Sequence, residues 1–179
     1  GELEEVFCTD FEESDGGFTH ALLDGEDQEG ADDWMWGAPL GLSGDPSFAS
    51  SGVNVWGNDL GGGNYNGAYQ NDKWNRLSSP DIDVSAYEAV VLSYQRWLNI
   101  EDGFYDQAQI TANGVTIWGN HATGQSMGDE HHEDQQWAPH AVFLPTGGSE
   151  SIQFGWEIIT DAGLEFGGWT IDDVCVYGV

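Results

Sequence analysis

Basic residues are nearly missing from this sequence. Of 179 residues only Lys73, Arg76 and Arg96 are cationic, against 32 acidic ones, a formal charge of −29 with histidine neutral. Such a surface repels phosphate, so nucleic acid and anionic membranes are poor partners. No run of apolar residues approaches the length of a bilayer span and no signal peptide opens the chain, so membrane insertion is not expected. Helical periodicity is also scarce. Cysteine is limited to Cys8 and Cys175, enough for one disulfide and suited to an oxidising, extracytoplasmic setting. What remains is rich in turn formers and large aromatics, with 26 glycines and 9 tryptophans in a chain that is 39% hydrophobic. That composition predicts an all-β fold, and the length suits a single domain over 1–179. Carboxylates in this excess must be hydrated, screened by salt or bound to cations; a salt-adapted source would account for part of it.

The two cysteines lie in stretches that both alternate with a period of two, VFCTDFE (6–12) and GGWTIDDVCVYGV (167–179). If the stretches pair antiparallel with Cys8 opposite Cys175, then Phe7 faces Val176, Thr9 faces Val174 and Phe11 faces Asp172 on an apolar side. On the other side Val6 faces Tyr177 and Asp10 faces Asp173. Opposed carboxylates repel unless a cation lies between them. Glu12 adds a third hard oxygen donor, and calcium is the ion that fits such sites. The expectation is a Cys8–Cys175 disulfide with calcium beside it; the bland alternative is two buried thiols and solvated acids.

Between these ends the sequence gives several further elements. The acidic passage 14–33 lacks the register of an EF-hand loop and reads as solvated. DWMWGAP (33–39) is a short strand closed by proline, with further candidates at 54–56, 67–70 and 77–83. The clearest strand is VVLSYQRWLNI (90–100), in which Arg96 shares a face with Leu92, Tyr94, Leu98 and Ile100. It therefore needs a carboxylate or carbonyl partner, or else faces a ligand. EDGFYD (101–106) gathers Glu101, Asp102 and Asp106 at its end, a second calcium candidate. Asn113-Gly114 marks a hairpin between QAQITA and VTIW. Strands near 137–144, 151–159 and 169–177 close the chain. About eight to ten short strands predict a two-sheet antiparallel jelly-roll β-sandwich.

Catalytic motifs fare poorly. GQSMG (124–128) matches a nucleophile elbow but lacks the strand-to-helix context that the motif needs. His132-Glu133 fails the HExxH zinc pattern, because Gln136 stands where the second histidine belongs. His121, His131 and His132 could share a transition metal, though histidines in an acidic loop are more often solvated. Paired carboxylates could hydrolyse glycosides, but here the acids cluster in loops and strand ends. Aromatic platforms for sugars or peptides are the other option. Trp97, Trp156 and Trp169 read as core, whereas Trp34, Trp36, Trp56 and Trp74 are candidates for a surface.

In order and spacing, the segments GFTH (17–20), DDWMWGAP (32–39), NVWGNDLGGGNY (54–65), LSSPDIDVSAY (77–87), LSYQRWLNIEDGFYD (92–106) and GGWTIDDV (167–174) resemble the MAM-like, choice-of-anchor type (cleaved adhesin-like) jelly-roll domains. These accompany secreted bacterial peptidases of the immune inhibitor A type and surface adhesins. The resemblance implies a non-catalytic β-sandwich, often calcium-bound, serving attachment or substrate engagement in a larger secreted or cell-surface protein, with an extracellular protein or glycan and the parent chain's other domains as partners. It implies metal ligands among Asp10, Glu12, Glu101, Asp102, Asp106, Asp172 and Asp173; the ligand-facing candidates Trp34, Trp36 and Arg96 come from the residues' own setting in the sequence. A carbohydrate-binding module is the alternative and a carboxylate-based glycoside hydrolase the distant one. The zinc motif of the peptidases is not in this chain, so no protease activity carries over.

Overall fold

Alternating apolar residues, broken every few positions by glycine, asparagine or proline, favour short strands over helices, and strands are what form. The computed structural model describes residues 1–25 and 30–179; part of the acidic passage expected to be solvated, 26–29, lies outside them. In chain order the strands are β1 (Glu4–Thr9), β2 (Thr19–Gly25), β3 (Trp34–Gly37), β4 (Val55–Asn58), β5 (Lys73–Ser78), β6 (Ile82–Asp83) and β7 (Ala89–Ile100). They continue as β8 (Gln107–Ala112), β9 (Val115–Gly119), β10 (His132–Glu133), β11 (Ala138–Pro145), β12 (Ser151–Ile152), β13 (Phe154–Ile159) and β14 (Gly168–Gly178). All pairings between them are antiparallel.

A seven-stranded sheet is built around β7 and β14, and a five-stranded sheet runs β2-β5-β13-β8-β9. Their facing surfaces enclose Tyr94, Leu98, Trp156, Trp169, Ile171 and Val176, and Phe11 and Phe18, edge-on to each other at 5.1 Å, belong to the same cluster. This is the all-β jelly-roll sandwich expected. Its core is strongly aromatic: Tyr94 meets Trp156 edge-on with ring centres 5.6 Å apart, and Trp118 meets Trp169 at 5.7 Å. Such pairs add about 0.5–1.5 kcal/mol beyond the area they bury. The β8–β9 hairpin turns at Asn113 and Gly114, both with positive φ (48° and 81°), as a type I′ turn requires.

The first and last strands pair with Phe7 opposite Val176, Cys8 opposite Cys175 and Thr9 opposite Val174, and the two cysteines form a disulfide. The remainder of the expected register does not hold. A bulge at Val6 places Glu5 opposite Tyr177, and β1 ends at Thr9, so Asp10 and Phe11 have no ladder partners. The strict alternation expected of β14 also fails. Trp169 and Ile171 face the core before a break at Asp172–Asp173, and Val174 and Val176 face it afterwards. One inserted residue moves every later side chain to the other face. Three strands were not anticipated, β2, most of β5 and the two-residue β10 within the stretch 119–136 expected to be a loop, while 67–70 forms none.

The outer face of the larger sheet is partly covered by the 38–54 connection, which encloses a small apolar cluster of Ala49, Val55 and Leu60 with Met35 and Trp137 against it.

Candidate metal centres

The break in β14 is where its neighbour changes. On one edge β14 pairs with β7 throughout; on the other it pairs with β1 at 174–178 and with β4 at 170–171. Asp172 and Asp173 occupy the gap, Asp173 with φ 49°. A two-residue bulge aims consecutive side chains where an alternating strand would separate them. Glu12, just beyond β1, and the 51–54 turn, just ahead of β4, complete the site. Glu12 Oε1 accepts the amides of Val53 (2.8 Å) and Asn54 (2.7 Å), and Asp172 Oδ2 accepts the Ser51 amide (3.0 Å). The Ser51 hydroxyl donates to Asp173 Oδ1. Burial, reinforced by the charges of Asp173 and Glu12, pushes the Asp172 carboxyl up to about 7. No basic side chain pairs with Glu12, Asp172 or Asp173, and hard oxygens without a counter-charge suit a divalent cation; backbone amides occupy both Asp172 oxygens, however, and ligand oxygens from the three do not all lie within 4.8 Å of one another. Asp10 is placed differently: it is exposed, its Oδ1 accepts the Glu12 amide (3.1 Å), and it shares with Asp173 an open cleft beside the disulfide. The 51–54 turn carried no sequence signal, because backbone donors leave none.

The acids at the end of β7 separate into two kinds. Asp102 organises the loop, its oxygens accepting the amides of Phe104 (2.9 Å), Thr123 (2.9 Å) and Glu130 (3.2 Å). Burial alone would raise its carboxyl, but these donors outweigh it and hold the group at about 2. Glu101 and Asp106 instead meet Asp161, a residue that sequence reasoning missed; one ligand oxygen from each lies within 4.8 Å of the other two. Burial, with Glu101 and Asp161 adding, pushes Asp106 up to about 7, and burial and Asp161 raise Glu101.

A third acidic region, at Asp33, Asp45 and Asp59, was also unforeseen. Asp33 is buried and satisfied by Lys73, Asn58 and Asn75. Asp45 is buried with neither oxygen hydrogen-bonded to any described residue, and burial followed by repulsion from Asp59 and Asp33 pushes it up to about 9.

Of the aromatic candidates, Trp34 (3% exposed) and Trp56 belong to the core, contrary to expectation, because the β3–β4 pair turns both inward. Trp36 is 41% exposed, its indole donating to the Phe11 carbonyl at 3.0 Å. Trp97, expected in the core, points to the outer face, where it meets Phe48 and Trp137 edge-on at 6.5 and 5.9 Å. Arg96 has a protein partner: Nε and an Nη bind Asp134 at 2.9 and 3.3 Å, and its guanidinium lies 5.6 Å from the Trp118 ring centre. The loop histidines do not converge. His121 pairs with Glu130, His132 with Asp134, and His131 accepts the Asp102 amide. Ser126 of the elbow-like motif lies in irregular chain between β9 and β10. No described helix is long and apolar enough to cross a membrane.

No family model matches the sequence. Over 166 residues it is 28% identical to bacillopeptidase F of Bacillus subtilis strain 168, an alignment spanning 92% of this chain and 10% of that relative. In structure it is similar to the K1 cleaved adhesin domain of Lys-gingipain from Porphyromonas gingivalis W83, with a TM-score of 0.60 and 15% identity, covering 100% of this chain and 99% of that one. The K3 domain of the same protein gives 0.55 at 16% identity, covering 98% and 99%. The mannan-recognising carbohydrate-binding module TmCBM27 gives 0.51 at 13% identity, covering 100% and 99%. At these identities the likeness is one of fold, and the chain has the adhesin-like β-sandwich fold.

Proposed function

We propose that this chain is a non-catalytic binding module of a secreted or cell-surface protein, stabilised by calcium at the seam of its first and last strands and accessory to a peptidase. The observation that carries the reading is the convergence of Glu12, Asp172 and Asp173 on the 51–54 turn with no basic side chain among them. A bound cation would offset their repulsion and fasten three separate chain segments together. The bacillopeptidase F match, of which this chain spans 10%, supports the peptidase context and an extracellular location. Melting with excess calcium and with chelator tests the metal: calcium at about 100 times its dissociation constant stabilises by about 2.7 kcal/mol. The gain should fall sharply in Asp173→Asn. Identical melting curves with calcium and with chelator remove the metal from the reading.

A glycan ligand is the second reading, favoured by the Phe48–Trp97–Trp137 group. Phe48 is 62% exposed, and the two indole N–H groups are already satisfied by backbone carbonyls, which leaves ring faces for an uncharged sugar. Binding of neutral polysaccharides that disappears in Phe48→Ala would support it, and uniform failure to bind such polymers would remove it.

A further inference from the structure

The two faces of the five-stranded sheet carry different chemistry. Leu77, Ile110, Trp156 and Ile158 turn to the core. Their neighbours turn outward, and residues directly opposite in an antiparallel ladder share a face. The register therefore sets Ala21, Arg76, Glu157 and Gln109 side by side across β2, β5, β13 and β8. Trp74, Ile159 and Gln107 form the next row.

Glu157 is the hub of this outer face. Its side chain is fully buried although it points away from the core, because three neighbours lie over it. Oε1 accepts the Trp74 indole (2.6 Å) and the Gln109 amide (3.0 Å), and Oε2 accepts Arg76 Nε (2.6 Å). Gly155, its neighbour on the same face, leaves room for the arginine: a Cβ there would lie 3.0 Å from Arg76 Cδ and 2.5 Å from Thr111 Oγ1. Burying such an ion pair is a poor source of stability, because desolvation offsets most of the attraction. What it secures is position. An indole, a guanidinium and an amide are each held in one rotamer on an open sheet face, an ordering that a ligand would otherwise have to supply.

The groups left over define what this face can bind. Among the described residues nothing accepts from either Nη of Arg76, whose side chain is 27% exposed. Trp74 is half-buried with its N–H already bonded, so it offers ring surface. A guanidinium fork beside an aromatic ring suits adjacent oxygens carried on a small ring. Charge decides that those oxygens are neutral. Glu157 already balances Arg76, and Asp24 and Asp72 line a cavity of about 280 Å³ beside Trp74. The net charge of −29 repels any polymer bearing carboxylate or sulfate.

We propose that the outer face of the five-stranded sheet binds a neutral polysaccharide, with Trp74 packing against a sugar ring while the Arg76 guanidinium and the Gln109 amide bond to its hydroxyls. This gives the binding-module reading a site and a ligand class, and it rests on that reading. The site is separate from the Phe48–Trp97–Trp137 group, which lies on the other sheet.

Affinity electrophoresis through gels containing β-glucan, arabinoxylan, galactomannan or starch, run beside gels containing pectate, tests this. At least one neutral polymer should retard the wild type, at high salt as well as low. Arg76→Lys and Trp74→Ala should each bind it at least about tenfold more weakly. Lysine keeps the pairing with Glu157 but has no fork, and Trp74 faces outward, so if one variant fails to fold the other still reads the site. Phe48→Ala should be retarded as strongly as the wild type. Loss of retardation in Phe48→Ala with full retardation in Arg76→Lys overturns this site and leaves the Phe48 reading standing. Retardation by pectate alone, or capture by immobilised gelatin with no polysaccharide bound, overturns it in favour of an acidic glycan or a peptide. No retardation by any polymer also overturns it, and leaves the calcium seam, read by melting, as it stands.

Discussion

At Asp45 the chain buries a carboxyl with two other acids nearby and, among the described residues, no donor on either oxygen. Burial, then Asp59 and Asp33, raises it from 3.8 to about 9. A folded-state value above the unfolded one means that the folded protein binds the proton more tightly. The favourable contribution is complete below about 3.8 and is lost progressively as pH rises towards 9. Asp45→Asn places a neutral group there at every pH. It should raise the melting temperature at pH 8, have little effect near pH 4, and flatten the fall in stability between them. Thermal melts of the two proteins across that range provide the comparison; an Asn variant less stable than wild type at pH 8 would show that something positive reaches the site. Asp33, in the same region, shows the opposite solution. Its Oδ1 alone receives Lys73, Asn58 and Asn75, and replacing one partner of such a buried pair typically costs about 3–5 kcal/mol.

The seam shows what an element can and cannot disclose through its sequence. Pairing of β1 with β14 was legible, because two lone cysteines in two alternating stretches allow few arrangements. The bulge was not: TIDDV fits an unbroken alternation as well as a broken one, and only the change of neighbour from β1 to β4 shows the break. Asp161 was invisible for a related reason, since it lies 55 residues from its hydrogen-bond partner Asp106 and meets it only through the pairing of β13 with β8. Exposure of the tryptophans depended on which sheet face the 38–54 connection covers, a tertiary fact with no local signal. The turn that closes the seam makes an element-level prediction. Gly52 has φ 59°, and a Cβ there would lie 2.3 Å from the Glu12 carboxyl carbon. Gly52→Ala should therefore displace Glu12 from the Val53 and Asn54 amides, cost about 1 kcal/mol or more, and weaken calcium binding at the seam. Melting with calcium and with chelator should show this as a smaller calcium increment than in the wild type. Unaltered seam affinity in Gly52→Ala would separate Glu12 from the metal.

For the whole molecule, the disulfide and the proposed seam ion act on opposite sides of the folding equilibrium. The Cys8–Cys175 bond spans 167 residues and restricts the unfolded chain. In the chain-entropy account a loop of this length stabilises by about 5 kcal/mol at most, a large share of a typical net stability of about 5–15 kcal/mol. A seam ion acts only on the folded state, through its affinity for carboxylates already assembled. The backbone ladder between β1 and β14 holds those carboxylates whether or not the sulfurs are joined. Cys8→Ser/Cys175→Ser should therefore unfold at lower urea concentration, with a steeper denaturant slope because its unfolded state is more expanded. Calcium should shift its midpoint by the same free energy as in the disulfide-bonded protein. Four urea curves, for the two proteins with calcium and with chelator, measure both effects. Loss of the calcium increment together with the disulfide would mean that the bond, and not the strand pairing, assembles the acidic seam.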